Sequence, residues 1–198
     1  MRHSGKILGT LIICSAGVIC SAGAWAAPQY PASDTMAVPP DYRDWVFLTS
    51  SLDLNYSNAA EPGPGQMHML DNVFVNPDAY RLFLKTGSWP DQTVLVKENR
   101  VAESAGTLSK SGRFQTGVMN LEIHVKDGQR FPGGWAFFVS SDGKAAGKLM
   151  PQSASCYSCH QDHGAADTTF VQFYPTLLPV AREKGTLSAG YLKDSAAK

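Results

Sequence analysis

The residues with the clearest chemical meaning in this chain lie in one run, Cys156-Tyr157-Ser158-Cys159-His160. A C-x-x-C-H run in an exported protein is typical of a c-type haem attachment site. The two thiols would add to the haem vinyl groups as thioethers, and the histidine beside them would ligate the iron from one face. The opposite face would then take a second protein ligand or stay open for a substrate, and that choice determines the function.

The N-terminus predicts export. Arg2 and Lys6 form a short basic region, residues 7–23 are apolar or small, and Ala24-Trp25-Ala26 resembles a signal-peptidase site. We therefore expect residues 1–26 to be a cleaved signal peptide and the mature protein to be periplasmic. An uncleaved membrane anchor fits less well, because the apolar stretch is short and Pro28 follows at once.

The cysteine spacing alone also allows a redox dithiol, a disulfide or part of a zinc site. Cys14 and Cys20 lie inside the predicted signal, so the mature chain keeps only Cys156 and Cys159. A zinc site would need further ligands, and a thioredoxin-like dithiol normally follows a strand in a βαβ pattern that the neighbouring sequence lacks. The histidines besides His160 that the mature chain offers are His68, His124 and His163. Haem attachment is the favoured interpretation.

Length and charge restrict the remaining possibilities. About 172 residues follow the predicted signal, which suits one domain with a substantial core. The chain balances 17 basic against 17 acidic residues, and loss of Arg2 and Lys6 leaves 15 against 17. This balance argues against a nucleic-acid partner.

We expect an extended N-terminal arm over residues 27–40, a haem domain over 41–178 and a C-terminal tail over 179–198.

The elements that must position the motif are mostly strands. Short β-branched and aromatic runs bounded by turn residues predict strands, and Pro77 begins a helix that Gly87 ends. The last three predicted strands are joined by glycine-bearing turns, which indicates an antiparallel meander and a mainly β (α+β) fold. The predicted strands cover residues 45–48, 72–75, 93–98, 118–125 and 134–139.

Strand alternation gives two charged side chains a common direction. Lys97 shares a face of its strand with Leu95 and Asn99, and Glu122 shares a face of the next strand with Asn120 and His124. The pair could thus project towards one site. From pattern alone, however, Lys97 and Glu122 are more typical of exposed positions on half-buried strands.

Several short motifs follow one another in order from about Pro39 to Leu178. They are Pro39-Pro40-Asp41-Tyr42-Arg43-Asp44-Trp45, Asn72-Val73-Phe74-Val75-Asn76-Pro77, Gly87-Ser88-Trp89-Pro90-Asp91-Gln92-Thr93-Val94-Leu95-Val96-Lys97-Glu98, Val125-Lys126-Asp127, Arg130-Phe131, Gly134-Trp135-Ala136-Phe137-Phe138, the Cys156 to His160 run, and Phe173-Tyr174-Pro175-Thr176-Leu177. Together these motifs resemble the cytochrome P460 family. One departure is Gln92, where the family usually has glycine between the aspartate and the threonine of a turn.

The resemblance implies a periplasmic, homodimeric monohaem cytochrome that oxidises hydroxylamine, with nitrous oxide as the product and a soluble c-type cytochrome as the electron acceptor. It implies that Cys156 and Cys159 hold the haem and that His160 is the axial ligand. It further implies that Lys97 is bonded to a meso carbon of the porphyrin and that Glu122 is the distal base. His124, two positions on, is the next candidate base.

Two alternatives stay open at this stage. The cytochromes c-prime-beta resemble the same family, lack the lysine cross-link and bind nitric oxide in an apolar pocket, so this chain could be a gas-binding or detoxifying protein. An electron-transfer cytochrome would need a strong sixth ligand from a methionine or a histidine. The presence of both Lys97 and Glu122 favours the enzyme.

Overall fold

The computed structural model describes residues 34–56, 62–63, 65–104, 108 and 110–197. The predicted signal peptide and residues 27–33 of the predicted arm lie outside the described residues. Within these ranges, no helix has the length and apolar character needed to cross a membrane.

The described residues form a seven-stranded antiparallel sheet in the order β1-β7-β6-β5-β4-β3-β2. Strands β2 to β7 follow one another across the sheet, so the predicted meander and the mainly β fold are confirmed. Strands β4 and β5 extend further than the sequence predicts. The strands are β1 (Thr35–Met36), β2 (Val46–Leu52), β3 (His68–Val75), β4 (Val94–Glu103), β5 (Phe114–Lys126), β6 (Trp135–Ser140) and β7 (Gly147–Leu149).

The described residues also form four α-helices: α1 (Pro77–Thr86), α2 (Ser155–His163), α3 (Leu178–Lys184) and α4 (Ala189–Ala196). The predicted helix is α1, with Pro77 in its first turn and Gly87 as the left-handed residue after its end, at φ 74°. A side chain at Gly87 would also meet the Lys184 Cβ at 2.7 Å, so this glycine lets α1 approach α3.

Strand alternation divides the core between the two faces of the sheet. The face under α1, α2 and α3, here called the helix-covered face, buries Val73, Leu95 and Phe137 against Phe83 of α1. The opposite face, here called the arm-covered face, buries a second apolar cluster under the N-terminal segment. That cluster includes Met36, Tyr42, Trp45, Val94, Val96, Leu121, Ile123 and Phe138.

Both ends of the part of the chain from residue 34 to residue 197 are more regular than the sequence predicts. Thr35 and Met36 pair with β7 and Met36 is buried, so the sheet begins before Tyr42, inside the predicted arm. Residues 179–198, predicted to be a tail, contain most of α3 and all of α4. Ser188 caps α4 by accepting a hydrogen bond from the Tyr191 N–H at 3.1 Å. The apolar stripes of these two short helices are too brief to give a strong periodic signal.

Candidate functional site

Lys97 and Glu122 lie directly opposite each other on neighbouring strands. Lys97 of β4 is in register with Glu122 of β5, on the helix-covered face. The Lys97 Nζ donates to the Glu122 Oε1 at 3.2 Å, and the Asn99 Nδ2 donates to the same oxygen at 2.9 Å. The predicted juxtaposition of these side chains is therefore present in the fold. The two side chains meet because side chains alternate between the faces of each strand and because β4 and β5 pair in this register.

The Lys97 and Glu122 side chains line a cavity between the sheet and the C-terminal half of the chain. The empty space of the cavity, including the open solvent at its mouth, is about 530 Å³. The sheet contributes a mixed polar and apolar wall, and aromatic residues form the opposite wall. The lining residues are Thr49, Ser51, Leu54, Tyr56, Asp71, Val73, Leu95, Lys97, Glu122, His124, His160, Phe170, Phe173 and Tyr174.

Helix α2 carries the attachment motif, and its His160 lines this cavity. Cys156 and Cys159 are three residues apart, so both thiols lie on one side of the helix, and both are unpaired and half-buried. Tyr157, between them, fixes the helix to the sheet: its ring stacks on Phe137 at 4.4 Å, and its hydroxyl accepts the Phe137 N–H at 3.1 Å. The hydroxyl also donates to the Met150 carbonyl at 3.2 Å.

His160 is held in the state that a metal requires. Its Nδ1 donates to the Thr168 carbonyl at 2.8 Å, which leaves Nε2 as the ring nitrogen able to bind iron. Burial lowers the pKa of His160, which favours the neutral imidazole. The ring packs between Phe170 at 4.2 Å and Phe137 at 4.8 Å between centroids, so its orientation is fixed from both sides.

His124 lies among aromatic rings on the wall of the cavity. Its ring lies 4.2 Å from Phe137 and 5.0 Å from His160, edge to face with the latter. Burial, and then the positive charges that His160 and Lys97 can carry, hold the pKa of His124 well below its usual value. The imidazole is therefore neutral and a weak base, and the role of His124 as the next candidate base stays a prediction.

Several lining residues were not predicted from the sequence. Asp71 accepts a hydrogen bond from the Ser51 hydroxyl at 2.5 Å and is buried. Strand alternation could have placed it beside Val73 on the site face, had β3 been extended back to His68. Tyr56 stacks on Phe170 at 5.0 Å between centroids. Neither Tyr56 nor Phe170 lies in a regular element, so no periodic signal marks them.

These residues fit a covalently attached haem. Two free thiols share one helix face, an imidazole nitrogen is left open beside them, and the imidazole lines a cavity that has one mixed wall and one aromatic wall. Among the described residues, no three His, Cys, Asp or Glu side chains come together as a metal-ion site.

A sequence profile described as Cytochrome P460 matches residues 39–171 of this chain. The match spans β2 to β7, α1 and α2, and it includes Lys97, Glu122 and the whole attachment run. No curated protein sequence matches the chain.

Proposed function

Because this chain belongs to the cytochrome P460 family, whose members are c-type haem cytochromes, we propose that it oxidises hydroxylamine at a haem cross-linked to Lys97. The observation that carries the proposal is the Lys97–Glu122 pair. A nucleophilic amine and a carboxylate lie 3.2 Å apart on the wall of the cavity into which His160 projects. A gas-binding or electron-transfer protein has no need of either group.

The chain offers a specific residue for each part of haem binding. Cys156 and Cys159 would form the thioethers, the His160 Nε2 would ligate the iron, and Lys97 would bond to a meso carbon. When bound, the haem supplies a redox centre that accepts electrons from the substrate, and a nitrogen substituent on the ring would change its electronic properties.

Glu122 has two tasks in this proposal. Lys97 must first lose its ammonium proton, and the Glu122 carboxylate is placed to take it. Bond formation would then replace an N–H bond of Lys97 and the C–H bond of the meso carbon, which releases two protons and two electrons and requires an external two-electron oxidant. During turnover, the same carboxylate would accept protons from hydroxylamine as electrons leave it. The Asn99 Nδ2 fixes Glu122 for both tasks, since it donates to Oε1 at 2.9 Å and also to the Asn120 Oδ1 at 2.7 Å.

The stoichiometry requires an electron acceptor. Conversion of two hydroxylamine molecules to nitrous oxide and water releases four protons and four electrons. We propose that a soluble c-type cytochrome takes the electrons in the periplasm.

We also propose that the protein is a homodimer. Light scattering at micromolar concentration is the measurement, and a stable monomer would contradict this proposal.

The experiment that tests the activity is hydroxylamine-dependent reduction of an electron acceptor by the haem-loaded protein. The wild type should turn over, and Lys97→Ala should retain haem through both thioethers yet lose turnover. Lys148→Ala, at an exposed lysine of β7, is the matched control and should behave as the wild type. A haem-loaded wild type that reduces no acceptor at saturating hydroxylamine would overturn the proposal.

A second function, nitric-oxide binding or detoxification without oxidation of hydroxylamine, is favoured by one observation. The cavity wall opposite the sheet is aromatic, formed by Tyr56, Phe170, Phe173 and Tyr174. Such a wall suits a small apolar gas. This alternative predicts nitric-oxide binding that Lys97→Ala leaves unchanged, together with no hydroxylamine turnover by the wild type.

A further inference from the structure

The carbonyl that holds His160 belongs to a tight turn with an unusual backbone. Residues 166–169 form a two-residue hairpin turn, closed by the Thr169 N–H to the Ala166 carbonyl at 2.9 Å and by the reverse bond at 3.4 Å. Its central residues, Asp167 and Thr168, have φ of 50° and 56°. Turns with two positive φ values normally take Asn-Gly or Asp-Gly, and a β-branched threonine is rarely found there.

Contacts outside the turn hold it in this conformation. The Asp167 carboxylate forms an ion pair with the Lys126 Nζ at the end of β5, and it accepts the Trp89 N–H at 3.1 Å. The Lys126 Nζ also donates to the Trp89 carbonyl at 2.6 Å. At the other end of the turn, the Trp89 Nε1 donates to the Thr169 hydroxyl at 2.8 Å, where both residues are buried.

Gly164 lets the turn lie against the end of α2. A Cβ at this position would lie 2.6 Å from the His160 carbonyl oxygen, 2.7 Å from the Thr168 carbonyl carbon and 2.8 Å from the Thr169 nitrogen. All three neighbours are backbone atoms, so none can move aside as a flexible side chain could. A larger residue would therefore push the turn away from the helix that carries His160.

We propose that Asp167, Lys126 and Gly164 are positioning residues for the axial ligand. They hold the Thr168 carbonyl against the His160 Nδ1, which fixes the imidazole plane and makes Nε2 a stronger donor to iron. None of the three lines the Lys97–Glu122 cavity. The inference rests on haem ligation by His160 and not on hydroxylamine oxidation, so the two can fail separately.

The test uses the haem-loaded protein without substrate. Resonance Raman spectroscopy of the ferrous form gives the iron–histidine stretching frequency, and a redox titration gives the midpoint potential. Asp167→Asn removes the ion pair but keeps an acceptor for the Trp89 N–H, and Gly164→Ala displaces the turn. Both should lower the stretching frequency and raise the midpoint potential, because a weaker hydrogen bond to Nδ1 makes the imidazole a weaker donor.

Two controls separate positioning from general stability. Gly117→Ala adds a Cβ in β5 where no atom lies within 4 Å, and Lys126→Arg keeps the ion pair. Both should leave the stretching frequency and the potential unchanged. The proposal is overturned if Asp167→Asn and Gly164→Ala lower the unfolding midpoint while both spectroscopic quantities stay at their wild-type values.

Discussion

Two glutamates on opposite faces of the sheet have different environments, although each is paired with at least one cation. Glu98 follows Lys97 on β4 and therefore points to the arm-covered face, while Glu122 points to the helix-covered face. The Glu98 side chain is 2% exposed and accepts hydrogen bonds from the Tyr42 hydroxyl at 2.7 Å, from the Arg43 Nε at 3.1 Å and from Arg100. A fully paired, inaccessible carboxylate stabilises a fold.

Glu122 has a more open environment. Its side chain is 34% exposed, its partners Lys97 and Asn99 both donate to one oxygen, and it faces a cavity. An accessible carboxylate that is not saturated with donors can exchange a proton with a small molecule. We therefore propose that Glu98 stabilises the fold and that Glu122 takes part in the chemistry, and both roles are open to direct tests.

The largest effect is expected from Glu122→Gln. The amide keeps the shape of the side chain but cannot accept a proton, so hydroxylamine oxidation should slow by about a hundredfold or more, the scale of lost general-base assistance. Steady-state turnover with a saturating acceptor is the measurement. Glu103→Gln, at the exposed end of β4, is the control. Turnover at the wild-type rate would remove Glu122 as the base and make His124 the next residue to test.

Glu98→Gln should lower the stability of the fold and leave turnover unchanged, the reverse of the effect expected from Glu122→Gln. Loss of the charge weakens hydrogen bonds from Arg43 and Arg100 at a buried site, so the free energy of unfolding should fall by about 2 kcal/mol. Urea unfolding with an unchanged m-value is the measurement. The haem spectrum and turnover should stay near the wild type. The distinction between the two faces would fail if Glu98→Gln and Glu122→Gln lost equal stability.

The pH dependence of stability sharpens the same point. Burial alone would raise the pKa of Glu98, but hydrogen bonds from Arg43 and Tyr42 and the charge of Arg100 hold it below its usual value. A carboxyl whose pKa is lowered by folding stabilises the protein above its unfolded pKa, about 4.3, and loses that contribution as the pH falls through the folded value. The stability difference between wild type and Glu98→Gln should therefore be constant above about pH 5 and shrink below pH 4. A difference that grew at acidic pH would contradict the assignment.

Substitution of Gln92, in a turn away from both glutamates, should give the smallest change in the free energy of unfolding. Gln92 has φ 68° in the turn before β4, at the position where the family usually has glycine. Gln92→Gly should raise the free energy of unfolding by up to about 1 kcal/mol, because relief of the left-handed backbone exceeds the entropic cost of glycine. Gln92→Ala keeps the unfavourable backbone and should not stabilise. Equal stability of the two variants would show that the turn carries no strain.

The sequence predicts the parts of this molecule that depend on local pattern. Strand alternation predicts that Lys97 and Glu122 could project towards one site, and the C-x-x-C-H spacing predicts the haem attachment motif. The helix that carries this motif was not predicted. The turn at Asp167 and Thr168 could not be foreseen, since its conformation depends on Lys126 and Trp89, which are distant in sequence. The helices after Leu178 were missed because packing against α1 and α2, more than periodicity, specifies them.

The resemblance, and not the pattern, directed attention to Lys97 and Glu122. By pattern, both are ordinary positions on half-buried strands. The structure shows how these two residues differ from Glu98. Lys97 and Glu122 line a cavity on the helix-covered face, whereas Glu98 accepts several hydrogen bonds on the arm-covered face. Which face of a strand meets a cavity is a tertiary property that alternation cannot supply.

The most direct test of the central claim is the optical spectrum of the purified ferrous protein, recorded for the wild type and for Lys97→Ala. A nitrogen substituent at a meso carbon perturbs the conjugation of the ring, so the wild type should absorb far to the red of an ordinary c-type haem. Lys97→Ala should keep its covalent haem and show an ordinary c-type spectrum. Coincident spectra would contradict the cross-link and place the protein with the nitric-oxide binders.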